Sequence, residues 1–203
     1  MTESNAKMKE QEIILAARKR FAYYGFSKVT MDEIAADVGM AKASLYYYFP
    51  TKVDLFKSVV AEEQDQFIEK LNSILKAEIS AADKLHQYVR ERLNHFKTFI
   101  NLAKLSFQAI QELKPLFADL HKNFSDREHE LLVGIIRDGI EKSEFKQGKP
   151  EKTATLILHV LHGVRFRRYP FVKDFYFDDT MHKQLGDEML QVLDMLLDGI
   201  RVD

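Results

Sequence analysis

Few residues in this chain could do chemistry, and most of them sit in one short run. The 203-residue sequence contains no cysteine, which removes disulfides, thiolate zinc sites, iron–sulfur clusters and cysteine nucleophiles together. His159 and His162 stand three residues apart, a spacing that can serve a metal on a helix, but no acidic residue within that turn completes a ligand set. They read instead as polar groups of a pocket or an interface, and no metal or other cofactor is expected. "DREH", Asp126 to His129, is the nearest approach to the paired Glu-x-x-His motifs of di-iron bundles, and it stands alone. Neither a glycine-rich phosphate loop nor a nucleophile elbow is present, so an enzyme is not the expected class. What remains is "KASLYYYFPTK", Lys42 to Lys52. Tyrosine offers a rigid ring with a hydroxyl that can donate to a phosphate oxygen, and lysines supply cations for a polyanion.

The usefulness of that run depends on which side chains point outward. A helix turns about 100° per residue. With Leu45 at 0°, Ala41 and Phe49 lie within about 40° of it, and Tyr48 about 60° away. Tyr46 falls near 100°, Ala43 near 160° and Tyr47 near 200°. Leu45 and Phe49 therefore anchor the helix, Tyr46 and Tyr47 face outward, and Tyr48 stands on the boundary. An exposed aromatic pair calls for a partner.

The elements that hold this run are sharply punctuated. The chain has only 8 Gly and 4 Pro, and its apolar residues recur at three- and four-residue steps, which predicts an all-α fold. A first helix is expected from about Asn5 to Tyr24, with Ile13, Ile14, Ala17, Phe21 and Tyr24 inward, and Gly25 as its C′ residue. In "VTMDEI", Thr30 and Glu33 form a capping box, while Val29 and Ile34 occupy the staple positions. A short second helix, Met31 to about Val38, follows and stops at Gly39. The third spans Lys42–Tyr48, and Thr51 caps a fourth from Lys52 to about Lys76.

Longer amphipathic helices follow at about Ala81–Ile100, from Pro115 until "KSEFKQGKP", at Pro150–Tyr169 and at Asp179–Ile200, with a further segment at Leu102–Leu113. The expected division is a helix-turn-helix domain over residues 1–51 and a larger helical domain over 52–203.

Charge does not announce a partner. The net charge is −1. Residues 1–57 carry nine basic and seven acidic side chains, and the remainder 21 and 24, an asymmetry too small to argue from. No apolar run approaches the roughly 20 residues a membrane span needs. The polar N-terminus lacks a signal-peptide core. The expectation is a cytoplasmic protein with no membrane partner.

Two short helices joined by a glycine turn and braced by a preceding helix form the helix-turn-helix pattern of DNA readers. Here "ARKRFAYYGFSKVTMDEIAADVGMAKASLYYYFPTKVDLF", Ala17 to Phe56, resembles the N-terminal domain of TetR-family transcriptional regulators. The match runs through Phe21, Gly25, Thr30, Ile34, Ala35, Gly39, Leu45, Tyr46, Phe49, Lys52, Leu55 and Phe56. The resemblance implies that Thr30, Tyr46 and Lys52 hold phosphates. It also implies that Lys42, Ala43, Ser44, Tyr47 and Tyr48 lie nearest the bases and adjacent backbone. Two positions depart from the family pattern. Ala41 stands where a Ser or Thr cap is common, which forgoes roughly 1 kcal/mol. Ala43 stands where Gly is frequent, adding a methyl to the outer face.

Beyond Phe56 only the layout matches. A half-site reader works as a dimer on a palindromic operator, and two apolar stripes could form its interface. They are Leu156, Val160 and Val164 on one helix, and Leu185, Met189, Val192, Leu193 and Leu196 on the last. The resemblance also implies a pocket for a largely apolar small-molecule effector. Its candidate lining is Phe67, Tyr88, His95, Phe96, Phe99, Phe107, Phe117, His159, His162 and Phe166. The expected protein is a homodimeric repressor of double-stranded DNA released by that effector. A ligand carrier or an activator of the same fold is the alternative.

Overall fold

The computed structural model describes residues 3–103, 118–168 and 178–202. Helix α1 (Glu3–Tyr24) stops at Gly25, which takes φ 82° and donates its N–H to Phe21 O at 2.8 Å. Only glycine enters that left-handed region freely. Helix α2 (Met31–Asp37) begins at the Thr30 cap, and Gly39, at φ 63°, turns the chain into α3 (Lys42–Tyr48). Thr51 then starts α4 (Lys52–Lys76), its Oγ1 accepting Asp54 N–H at 3.1 Å. The longer helices are α5 (Ala81–Ala103), α6 (Ala118–Glu141), α7 (Pro150–Arg168) and α8 (Asp179–Ile200). Among the described residues there is no strand, only an isolated antiparallel bridge between Phe145 and Arg201. The fold is all-α.

The chain forms two units, divided within α4 between residues 64 and 65 and within α5 between residues 97 and 98. In the first, Ile13, Ala17 and Phe21 of α1 meet Ile34 of α2, Leu45 and Phe49 of α3, and Leu55 and Phe56 of α4. Each is at most 3% exposed, and full burial of such a side chain contributes about 1.5–3 kcal/mol. Because Leu55, Phe56, Val59 and Val60 complete this core, the first turns of α4 belong with the short helices.

Tyr24 departs from the expected buried face and is 51% exposed, with its ring against Tyr23 at 4.6 Å. The turn at Gly25 brings Phe26 over Phe21 at 5.7 Å and Phe56 at 4.8 Å, so Phe26 fills the place that periodicity assigned to Tyr24.

The second unit comprises α4 from Asp65, α5 to Lys97, and helices α6 to α8. α6 packs on α7 and α7 on α8. Leu85, Val89, Leu132, Ile136, Leu161 and Leu193 are among its most buried residues. Lys84, 3% exposed, reaches Asp138 at 2.7 Å and holds that carboxyl below its ordinary range. A Cβ at Gly139 would lie 2.4 Å from Phe145 Cδ2, so only glycine lets the loop after α6 close on this helix. Asp178 caps α8 by accepting Met181 N–H at 2.7 Å.

Candidate functional site

The short helices are positioned by bonds that depend on residue type at each corner. Thr30 Oγ1 accepts Glu33 N–H at 3.3 Å, and Thr30 N–H donates to Glu33 Oε2 at 2.8 Å. Bonds from the Thr30 backbone and hydroxyl lower the Glu33 pKa. Arg20 on α1 pairs with Asp37 at the end of α2, Nη2 to Oδ1 at 2.8 Å. That pairing raises the guanidinium pKa and lowers the carboxyl. The turn closes with Met40 N–H on Ala35 O at 3.0 Å. Ala41, at the N-cap of α3, makes no side-chain cap.

α3 presents two unlike faces. Leu45 is 0% and Phe49 3% exposed, whereas Tyr47 is 85% and Tyr46 40% exposed. Lys42, Ala43 and Ser44 are exposed beside them, and Thr30 is exposed at the start of α2. Tyr48 is half-buried and meets Tyr47 edge-on at 5.6 Å. Lys42 Nζ pairs with Asp32 at 2.9 Å; both are exposed, and such a pair exchanges readily for another anion.

Lys52 is held differently. Its ammonium donates to Phe26 O and Val29 O, both at 2.9 Å, and lies 4.5 Å above the Phe26 ring. Burial lowers its pKa. Two of its three N–H donors thus tie α4 to the α1–α2 turn, and one is left for an outside acceptor. Neither this tie nor the Arg20–Asp37 pair was signalled by periodicity.

This arrangement is shared with known proteins. Residues 13–59 match the profile of the bacterial regulatory proteins of the tetR family. A transcriptional regulator from Cytophaga hutchinsonii is 42% identical, with a TM-score of 0.86 over 94% of this chain and 97% of that one. The chain belongs to the TetR family. It is a DNA-binding transcriptional regulator with a helix-turn-helix. The Fatty acid metabolism regulator protein of Bacillus subtilis is 28% identical over 144 residues, 69% of this chain and 72% of that protein. A TetR-family regulator from Pectobacterium atrosepticum shares the fold, with a TM-score of 0.75 at 18% identity over 100% of this chain and 99% of that one.

In this TetR-family chain the second unit encloses a polar cluster among aromatic rings. Tyr88, 1% exposed, donates its hydroxyl to Glu128 Oε1 at 2.9 Å, and Arg92 Nε lies 2.6 Å from the same oxygen. Burial and the Glu128 charge push the Tyr88 hydroxyl pKa well up. The His95 ring stacks on Phe67 at 4.6 Å and Phe124 at 5.5 Å. Arg165 lies 4.7 Å above the Phe96 ring. Burial, helped by the nearby guanidiniums, pushes His95 down to about 3 and His162 to about 4.

Of the predicted pocket residues, Phe67, Tyr88, His95, Phe96 and His162 come together here. His159 is exposed, and Phe166 is 64% exposed. Phe107 and Phe117, with the Phe99 side chain, lie outside the described residues. Arg92 and Glu128 were missed. Tyr88, Arg92 and His95 follow an i, i+4, i+7 spacing on α5 that marks one helix face, but nothing local singles out Glu128.

The two apolar stripes of this TetR-family protein divide. Leu185, Met189 and Leu193 are 0%, 3% and 0% exposed within the protomer, so they are already covered by its own core and are not open to a partner. Val192 and Leu196 on α8 are half-covered, as are Val160 and Val164 on α7. Leu156 and Met195 are 52% and 71% exposed. Among the described residues no helix is long and apolar enough to cross a membrane.

Proposed function

We propose that this regulator is a homodimeric repressor that holds a palindromic operator and releases it when a small, largely apolar molecule occupies the second unit. The carrying observation is the split of α3, with Leu45 and Phe49 buried while Tyr46 and Tyr47 stand outward. Nothing in a protomer's packing requires two adjacent outward tyrosines on a seven-residue helix, and a duplex gives both rings and hydroxyls partners.

Thr30, Tyr46 and the remaining Lys52 N–H take phosphates. Lys42, Ala43, Ser44, Tyr47 and Tyr48 face the major groove and its rim. The short helices together with the first turns of α4, Lys52 included, read DNA, and the second unit dimerises and binds the effector. The dimer pairs through the outer faces of α7 and α8, and a palindromic operator requires its two α3 helices to meet half-sites one turn apart, about 34–36 Å. An effector that prefers a conformation with another spacing lowers operator affinity by shifting the population. α4, which runs through both units, carries that change.

Selection of bound fragments from a random DNA pool tests the reading. A palindromic consensus, bound far more tightly than unrelated DNA at moderate salt, is expected. Equal affinity for selected and unrelated DNA would remove the repressor function.

A further inference from the structure

Among the described residues, the polar cluster of the second unit holds two guanidiniums and one carboxylate. Glu128, 1% exposed, is engaged by Tyr88 and Arg92 through the same oxygen. Its single negative charge balances Arg92. Arg165 is a second guanidinium in the same field, and among the described residues no carboxylate stands within ion-pair distance of it. Burial lowers its pKa to about 10, which leaves it cationic at neutral pH. Arg165 is half-buried, and a charge drawn partly out of water without a counter-ion carries part of the desolvation cost.

Hydrogen-bond capacity is unbalanced in the same sense. Arg92 Nη1 lies 3.4 Å from His95 Nδ1. A guanidinium cannot accept, so Nδ1 is the acceptor and the neutral ring carries its hydrogen on Nε2. That Nε2–H is buried and has no partner among the described residues. His162 Nε2 is likewise buried and unpartnered, 4.0 Å from Glu128 Oε2 and beyond hydrogen-bond reach. Two ring nitrogens thus lack partners among the described residues, and Phe67, Phe124 and Phe96 supply apolar surface beside the cluster.

We infer that the effector is an organic monoanion, a carboxylate on an apolar body, with its oxygens on Arg165 and the His95 Nε2–H and its body against these phenylalanines. This rests on the second unit being the effector site. A surplus of one positive charge matches a carboxylate; a phosphate monoester brings nearly two negative charges at neutral pH. A cationic ligand meets Arg165 as a like charge, and a neutral one leaves it unpaired.

Titration calorimetry of the full chain with octanoate, 3-phenylpropionate and their primary amides tests this. At least one carboxylate should bind tenfold or more tightly than its amide. Arg165→Gln should abolish that preference by weakening the acid far more than the amide, and Arg165→Lys should restore part of it. The wild-type comparison of acid with amide needs no variant and stands if Arg165→Gln does not fold. An amide equal to its acid, or a preference that survives Arg165→Gln, overturns the anion assignment and leaves the effector reading in place. Binding of none of the four probes also overturns the assignment. The effector reading itself falls only if the operator complex survives a small-molecule metabolite extract.

Discussion

The Lys52 ammonium lies 4.5 Å above the Phe26 ring and donates to the Phe26 carbonyl at 2.9 Å. With a second bond to Val29 O, it fastens the start of α4 to the turn that leads into α2. A residue proposed to face the duplex thus also braces the short helices. Replacement by Met, which keeps the stem and removes the charge, should lower stability by about 1–2 kcal/mol through two lost charge-assisted bonds. DNA affinity should fall by a similar factor for every sequence. Urea denaturation beside binding to selected and unrelated DNA measures both; an unchanged denaturation midpoint would show the tie contributes nothing.

The two faces of α3 predict opposite outcomes for neighbouring residues. Leu45→Ala empties a fully buried site and should cost about 2–5 kcal/mol. Tyr47→Ala removes an 85% exposed ring and should change stability by less than about 0.5 kcal/mol, yet alter the consensus recovered from a random pool. An unaltered consensus with uniformly weaker binding would move Tyr47 to the phosphates.

Leu156 on α7 and Met195 on α8 are exposed large apolar side chains of the proposed dimer surface. Replacing both with Glu puts two charges in each half of that interface without disturbing a protomer core. Sedimentation should shift from dimer to monomer, with helical content unchanged and operator affinity reduced at least tenfold. A double variant that remains dimeric would place the interface elsewhere.

His95 and His162 titrate near 3 and 4 in the folded chain, below the ordinary imidazole value of 6.5. As pH falls below about 6.5 the unfolded chain takes up protons that the folded chain refuses, so stability is full above that pH and declines toward 4. Each imidazole should remove about 1–2 kcal/mol at pH 5 after allowance for solvent screening. Chemical denaturation at pH 7.5 and 5 measures this, and His95→Gln should remove about half of the difference, leaving the His162 share. Identical pH dependence in wild type and variant would show that the His95 environment is not the cause.

The helix boundaries were legible because their causes are local. The Gly25 and Gly39 turns, the Thr30–Glu33 capping box and the Thr51–Asp54 cap each act within three or four residues, and α3 and α4 occupy the predicted spans. Periodicity also separated Leu45 from Tyr47, since both lie on one rigid helix.

What it could not supply was the identity of the covering group. Phe26, not Tyr24, closes the first core, because the chain doubles back at Gly25. Leu185, Met189 and Leu193 face their own protomer, because α7 lies against α8. Lys52 finds carbonyls 26 and 23 residues away, and Tyr88 finds Glu128 across 40. A helical period says which side chains share a face; only tertiary packing decides what that face meets. The sequence alone therefore determined the helices and the reader's outward tyrosines, while the tertiary structure decided the brace at Lys52 and left Arg165 without a carboxylate partner among the described residues.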